Sequence, residues 1–146
     1  MVLAINEDKV RKLSFEFKKA LTRLKSLSSC PKEVFTNDPD KIGSAKYHFI
    51  VAIEAAIDLC NHIIAKNNFR TPEDYSDTFR VMGEANILAG EFVTSLIRMG
   101  KFRNRLVHIY WDVDDETLYR ILQTNLADLD RFLRELGEFL NMHHDI

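Results

Sequence analysis

Residues 44–67 read SAKYHFIVAIEAAIDLCNHIIAKN, and they decide the fold class of this chain. Apolar residues return every three or four positions along this stretch, the spacing that places them on one side of an α-helix. The stretch predicts a long helix that begins near Asp40 or Ser44, either of which can cap its first N–H groups, and ends near Asn67. Its apolar face comprises Phe49, Ile53, Ala56, Ile57, Cys60, Ile63 and Ile64.

The segment before this helix repeats the same spacing. Apolar residues recur at helical intervals from Val10 to Leu27, with lysines and arginines on the opposite face, and predict a helix that ends near Ser28. Pro31 and Pro39 then interrupt the pattern, because proline blocks the continuation of a helix. We therefore expect a break between these two helices.

The segment that follows predicts three more helices. Thr71 as a cap and Pro72 in the first turn indicate a short helix over TPEDYSDTF, residues 71–79. A long helix is expected from about Leu88 to Val107, and a last one begins with Asp114 as its cap. The apolar stripe of this last helix comprises Leu118, Leu122, Leu129, Phe132, Leu136 and Phe139.

Four long helices and one short helix, joined by short links, predict an all-α fold, an antiparallel helical bundle. Hydrophobic residues make up 46% of the chain, enough for a core that needs neither metal nor disulfides. Five glycines and three prolines are few, which favours long helices over a turn-rich β fold. With 146 residues and no repeat or linker, the chain is expected to form a single domain over residues 1–146.

Composition and simple motifs argue against several functional classes. The net charge is −2, so any RNA-binding surface must be a local basic patch. The sequence has no HExxH, paired CxxC, Walker loop or GxGxxG, so neither a metal nor a cofactor is expected. Its N-terminus lacks the apolar run of a signal peptide, and no stretch approaches the roughly 20 apolar residues of a membrane span. The expected location is the cytoplasm.

The most unusual stretch is RMGKFRNRLVHIYWDVDDE, residues 98–116. It places four cations within eight residues, and four acidic residues follow shortly after. On charge alone, this pattern is typical of a solvated helix C-terminus followed by the start of the next helix, because both placements suit the helix dipoles. The four cations are Arg98, Lys101, Arg103 and Arg105.

His108 gives this stretch a chemical interpretation. It lies five residues after Arg103, and five residues of an unbroken helix rotate by about 140°, so the two side chains would diverge. If the helix ends at Val107 or His108, the chain can turn and the two can converge. Asn104 stands four residues before His108 and shares its face while the helix lasts.

Residues 103–110, RNRLVHIY, reproduce the R-x4-H-x-Y motif, and in this respect the chain resembles the HepT-like toxins of the HEPN superfamily. The similarity covers about residues 6 to 140 and includes the second long helix. On that helix the family shows an alanine-isoleucine-glutamate run, or a similar one, followed by an aspartate. The matching residues there are Ala52, Ile53, Glu54 and Asp58.

The resemblance implies a HEPN-like fold and metal-independent RNA cleavage. RNA carries its own nucleophile, the 2′-hydroxyl, so a catalyst needs a base, an acid and cations for the charged transition state. His108 suits either proton task, Arg103 suits the phosphate oxygens, and Asn104 could orient the histidine or bind the phosphate. One chain supplies one such histidine, and HEPN sites form across a homodimer, so a homodimer is expected. Candidate RNA-binding residues are Arg98, Lys101 and Arg105.

Polar residues on the second long helix fit the same interpretation. Glu54, Asp58 and Asn61 follow the i, i+4, i+7 spacing and share one face. They could simply face solvent opposite the core. Alternatively, Glu54 or Asp58 pairs with Arg103 or Arg105 and fixes the guanidinium for phosphate.

Tyr110 has two interpretations as well. It could pack beside Trp111 against the bundle as an ordinary amphipathic residue. In HepT-like proteins, the matching tyrosine receives adenylyl groups from a partner antitoxin, a minimal nucleotidyltransferase of the MntA type. The resemblance implies that AMP on Tyr110 would block the RNA backbone by charge and bulk.

The sequence is also compatible with two other functions. Related helical bundles serve as non-catalytic, substrate-binding or regulatory subunits of small nucleotidyltransferases, and the negative net charge favours that alternative because it weakens RNA binding. The motif of Arg103, His108 and Tyr110 favours the nuclease. A purely structural helical adaptor is the third possibility.

Overall fold

The computed structural model describes residues 3–143, with side chains for residues 3–141. This part of the chain is all-helical and has no β-strand. Its four long helices are α1 (Glu7–Ser28), α3 (Pro39–Lys66), α5 (Gly90–His108) and α7 (Leu126–His143). The shorter elements are α2 (Lys32–Thr36), α4 (Tyr75–Glu84), α6 (Asp115–Thr124) and a 3₁₀ turn (Tyr110–Asp112).

The predicted all-α class and the four long helices are confirmed, whereas two helix starts were predicted wrongly and one short helix was missed. Asp38, not Asp40 or Ser44, caps α3, because its carboxylate accepts the N–H groups of Asp40 and Lys41 and Pro39 occupies the first turn. Asp74, not Thr71, caps α4 by accepting the N–H of Asp77. The predicted break before α3 contains the short helix α2, whose Phe35 is buried.

The expected last helix is two helices, α6 and α7, separated at Asn125. The predicted cap, Asp114, is correct, since its carboxylate accepts the N–H of Thr117. Asn125 then ends α6, its N–H donating to the carbonyl of Ile121, and its own carbonyl accepts the N–H of Asp128. The apolar spacing continues across this break without a phase change, so periodicity alone could not reveal it.

The helices pack in antiparallel pairs around one apolar core. The start of α1 lies at the end of α3, where the N–H of Asn6 donates to Nε2 of His62 at 2.9 Å. Helices α4 and α5 also run in opposite directions: Gly83 lies against Val93, and Gly100 lies near Phe79. This second pair positions the end of α5 beside the start of α4.

Helix α3 is the one helix of the described residues that is long and apolar enough to cross a membrane. The expectation that no stretch approaches this composition was therefore too strict. Twelve of its residues are buried against the neighbouring helices, among them Phe49, Ile53 and Ile63. Its apolar character is thus explained by its central position in the bundle.

Candidate active site

The site begins where α5 ends. His108 is the last residue of the helix, as the sequence predicted, and the N–H of Ile109 donates to the carbonyl of Arg105 at 2.9 Å. The chain then makes the 3₁₀ turn, and Nε of Arg105 donates to Oδ2 of Asp112 at 3.1 Å. This ion pair ties the turn back to the helix and fixes the direction in which the chain leaves His108.

Arg103 is held on three sides. Its Nε donates to Oε1 of Glu54 at 3.0 Å, and its second terminal nitrogen, Nη2, contacts the same oxygen. Nη1 donates to Oδ1 of Asn104 at 3.1 Å, and the guanidinium carbon lies 5.1 Å from the centre of the Tyr75 ring. The Arg103 side chain is only 12% exposed, so its charge is stabilised mainly by these partners.

The bound guanidinium keeps donors for a ligand. A guanidinium carries five N–H groups, and the contacts with Glu54 and Asn104 use three of them. The remaining two belong to Nη1 and Nη2, the pair of atoms that bind a phosphate in bidentate fashion. Arg103 is therefore oriented but not saturated.

Arg103 and His108 line the same open groove, the Arg103 groove, which has a volume of about 520 Å³. Asn104, Arg105 and Ile109 also line it, and Asp74 and Tyr75 at the start of α4 form the opposite wall. The side chain of His108 is exposed in this groove. No hydrogen bond joins Asn104 to His108 in the described residues, because the Asn104 amide oxygen faces Arg103 instead.

The polar residues of α3 differ in whether they contact the site. Of the two alternatives for this face, Glu54 pairs with Arg103, whereas Asp58 forms no ion pair in the described structure and its side chain is exposed. Although Asp58 is exposed overall, desolvation of its carboxyl group by the surrounding protein and the neighbouring Glu54 carboxylate raise its pKa above the ordinary value. Asn61 accepts a hydrogen bond from Oγ1 of Thr78 and so joins α3 to α4.

Two of the four cations of α5 lie outside the Arg103 groove. Arg98 and Lys101 line a second, smaller groove of about 220 Å³, whose floor includes Phe102 and Ile121 of α6. Arg105 lines both grooves. The three candidate RNA-binding residues thus form a basic strip along α5 that leads to the Arg103 groove.

An exposed apolar patch adjoins the site. Tyr110 is 61% exposed and Trp111 is 73% exposed, with their rings packed edge to face at 5.4 Å. Val107 and Ile109 extend the patch. Tyr110 therefore does not pack against the bundle core, and its hydroxyl lies on the surface.

Sequence reasoning missed Asp74 and Tyr75, which form one wall of the groove. Both lie outside the R-x4-H-x-Y motif, and the segment that contains them was interpreted only as a helix start. One signal in the sequence could have indicated them. Tyr75 directly follows the capping residue Asp74, and no apolar residue at helical spacing before Tyr75 could pack against it.

The described residues contain no group of three or more His, Cys, Asp or Glu side chains arranged to hold a metal ion. The polar residues that line the Arg103 groove are Arg103, Asn104, Arg105, His108, Asp74 and Tyr75.

The fold and the groove together define a HEPN-like helical bundle with an Arg–His site at the end of a long helix. The family model described as "Ribonuclease HepT-like" matches residues 17–136. The chain belongs to this Ribonuclease HepT-like family.

Individual relatives are similar over part of the chain. An mRNA nuclease HepT of Shewanella oneidensis is 28% identical over 80 residues, which are 55% of this chain and 60% of that protein. A tRNA nuclease HepT of Aphanizomenon flos-aquae is 28% identical over 89 residues, 60% of this chain and 59% of that protein. The matched part thus spans about three fifths of the length of these two nucleases.

Solved structures share the fold. The tri-AMPylated HEPN toxin of Shewanella oneidensis, in complex with MNT antitoxin, superposes with a TM-score of 0.82 at 21% identity. The match covers 90% of this chain and 98% of that one. A cytosolic protein of unknown function from Bacillus subtilis, YutE, has a TM-score of 0.81 at 18% identity, covering 97% of this chain and 94% of that one.

Proposed function

We propose that this chain is a metal-independent endoribonuclease, the toxin of a toxin–antitoxin pair that acts in the cytoplasm. The observation that carries the proposal is the groove at the end of α5, which Arg103, Asn104 and His108 line together in a chain of the HepT-like family. Related nucleases are named for mRNA and tRNA cleavage.

The proposed chemistry uses the RNA's own 2′-hydroxyl. A histidine removes its proton, the 2′-oxygen attacks the adjacent phosphorus, and a 2′,3′-cyclic phosphate forms as the bond to the 5′-oxygen breaks. A second histidine protonates the leaving 5′-oxygen. Arg103, with two free N–H groups, stabilises the extra negative charge on the phosphoryl oxygens.

This mechanism explains why a homodimer is proposed. Among the described side chains, His108 is the one histidine of the groove, whereas the reaction is fastest with a base and an acid present together. A two-fold axis at the apolar patch would bring two copies of His108 together, since Ile109 belongs both to the patch and to the groove. Exposed Trp and Tyr side chains are typical of protein interfaces.

The remaining parts of the proposal concern RNA binding and regulation. Arg98, Lys101 and Arg105 would bind phosphates flanking the cleaved one along the basic strip. Tyr110, exposed at the turn, would receive adenylyl groups from a minimal nucleotidyltransferase antitoxin. The added phosphates would then occupy the space that the RNA backbone needs.

A non-catalytic subunit of a small nucleotidyltransferase is the second candidate. It is favoured by the net charge of −2 and by the pairing of Arg103 and Arg105 with carboxylates, which lowers the positive potential available to RNA. Such a subunit would co-purify with the nucleotidyltransferase and leave RNA intact.

The test is incubation of the purified protein with single-stranded RNA in EDTA. We expect cleavage that leaves a 2′,3′-cyclic phosphate or a 3′-phosphate, and we expect His108→Ala to abolish it while helicity is preserved. His48→Ala is the matched control, because the hydrogen bonds of His48 in the described structure stay within its own helix and go to Ser44. Cleavage that requires magnesium, or that survives His108→Ala, contradicts the mechanism.

A further inference from the structure

A third groove lies beside the Arg103 groove. It has a volume of about 470 Å³ and lies between the end of α3 and the start of α4. Asp74 and Tyr75 line both grooves, so the two cavities adjoin along these residues. A volume of this size is within the range of small-molecule sites.

The lining of this groove differs in kind from that of the basic strip. None of its lining residues in the described part of the chain is a lysine, arginine or histidine, so this lining offers no positive charge for a phosphate. Its apolar lining residues include Ile64, Phe69 and Pro72, and its polar lining residues include Asn68 and Glu73, which carry an amide and a carboxylate. An apolar surface with a few directed amide and carboxylate groups is suited to a nucleobase.

The wall formed by residues 68–74 is fixed in place. Arg70 donates from Nη1 and Nη2 to the two carboxylate oxygens of Asp77, at 2.7 and 2.8 Å, and from Nε to Glu84 at 2.9 Å. The N–H of Glu73 also donates to Asp77 at 2.9 Å. These bonds fasten the loop to α4, so a ligand would pay little to order it.

Tyr75 stands at the boundary between the two grooves. Its ring contacts the guanidinium of Arg103 on one side and lines the neighbouring groove, and it remains 39% exposed. A phosphate bound by Arg103 would therefore have an aromatic surface directly beside it. Proteins that bind single-stranded RNA stack unpaired bases on such surfaces.

We propose that this groove binds the nucleobase next to the scissile phosphate and that it prefers guanine over uracil. The proposal rests on the proposed ribonuclease function and adds its base preference. The Watson–Crick edge of guanine presents two neighbouring N–H donors, which match the two oxygens of a carboxylate. The corresponding edge of uracil has one N–H between two carbonyls, which repel a carboxylate.

Glu73 is the residue that carries the preference. Its carboxylate forms no ion pair in the described structure, although its backbone N–H is bound to Asp77. Asp74 already uses one carboxylate oxygen to cap α4. The Glu73 carboxylate is therefore the more available of the two acceptors.

The experiment maps cleavage sites in an RNA pool of random sequence. We expect guanine to be enriched and uracil depleted at one position adjoining the cleaved bond, and Glu73→Gln to reduce the guanine-to-uracil ratio by roughly tenfold, the usual effect of one bidentate base contact. Glu138→Gln makes the same charge change on α7 and leaves the ratio unchanged. Cleavage without base preference, or with a preference that Glu73→Gln does not alter, overturns the inference.

A binding measurement separates this inference from the proposed activity. Guanosine monophosphate and uridine monophosphate are titrated separately into His108→Ala protein, and amide resonances are followed by NMR. We expect guanosine monophosphate, but not its uridine counterpart, to shift resonances of residues 68–75. Equal shifts with both nucleotides, or shifts confined to residues 98–105, contradict base binding. A wild-type protein that leaves RNA intact contradicts the proposed function instead.

Discussion

The carboxylate of Glu54 on α3 and the guanidinium of Arg103 on α5 form an ion pair between residues 49 positions apart in the sequence. Glu54 is 42% exposed, whereas Arg103 is 12% exposed. The carboxylate thus fixes a largely buried cation without closing the groove. Because two N–H groups of Arg103 stay available, this pair orients the guanidinium toward a ligand.

Replacing Glu54 should therefore lower both activity and stability. We expect Glu54→Gln to slow RNA cleavage by roughly 10- to 100-fold, because a misdirected guanidinium loses contact with the transition state. The free energy of unfolding should fall by about 1–3 kcal/mol, because the change removes the negative charge beside a largely buried guanidinium. Glu16→Gln is the control, since Glu16 has nearly the same exposure, 41%, and pairs with Lys19 on α1. Equal losses of activity in both variants would contradict the positioning role.

The apolar patch predicts how the site is completed. Trp111→Glu should convert a dimer to a monomer in sedimentation analysis and reduce cleavage to the level of His108→Ala, because a charge at an interface core opposes association. Phe15→Glu alters an exposed aromatic residue on α1, remote in sequence from the patch, and should leave both mass and activity unchanged. A monomeric wild type that cleaves RNA at full rate would exclude the shared site.

The proposed regulation by adenylylation can be measured as an increase in the intact mass of the protein. Co-expression with a minimal nucleotidyltransferase should add adenylyl groups to this chain, and Tyr110→Phe should remove every addition because the acceptor hydroxyl is absent. Tyr47, also exposed but on α3, provides the control: Tyr47→Phe should be modified normally. Additions that persist in Tyr110→Phe would identify a different acceptor.

His62 predicts how stability depends on pH. Burial, together with Lys9 and Lys66, lowers the pKa of His62 below its ordinary value of 6.5, and its Nε2 accepts the N–H of Asn6. The unfolded chain therefore takes up this proton at a higher pH than the folded one. The contribution of neutral His62 to the free energy of unfolding is therefore fully present above pH 6.5. It is lost as the pH decreases toward the lowered pKa of His62 in the folded protein.

The measurement is urea unfolding at pH 7.5 and at pH 5.5. Wild type should be less stable at the lower pH, and His62→Gln should lose much of this difference, because an amide oxygen can accept the Asn6 N–H without titrating. Asp77 does not confuse the result: hydrogen bonds from Arg70 and from the Glu73 N–H lower its pKa below the ordinary 3.8, so its contribution is lost only in stronger acid. An unchanged pH difference in His62→Gln would assign the effect to another group.

Two helical glycines, one at the contact of α4 with α5 and one on α3, should respond in opposite ways to replacement by alanine. A Cβ on Gly83 would lie 2.9 Å from Cγ2 of Val93, so Gly83→Ala should destabilise the protein by about 1–3 kcal/mol. A Cβ on Gly43 in α3 meets nothing, so Gly43→Ala should stabilise it by about 0.5–1 kcal/mol. Chemical denaturation measures both, and a stabilised Gly83→Ala would contradict this close approach.

The sequence predicted the long helices well because their apolar spacing is nearly unbroken. It predicted that α5 ends at Val107 or His108, since the Ile-Tyr-Trp run departs from that spacing, and the helix ends at His108. It missed the break at Asn125, where apolar residues before and after keep the same phase. The capping residues Asp38 and Asp74 were missed because several acceptable caps lie within a few positions of each other.

The candidate site was predictable only in part. The motif identifies Arg103, Asn104 and His108, and the spacing on α3 gave Glu54 and Asp58 as alternative partners for an arginine. Only packing could decide between them, because both lie on the same face one turn apart. The wall formed by Asp74 and Tyr75 depends on how α4 crosses α5, which no local pattern records.

The ion pair between α3 and α5 has a consequence during protein synthesis. A ribosome must release residue 103 before it can meet residue 54. Until then the growing chain lacks the oriented arginine. A protein proposed to attack cellular RNA would gain that ability only after most of its length had emerged.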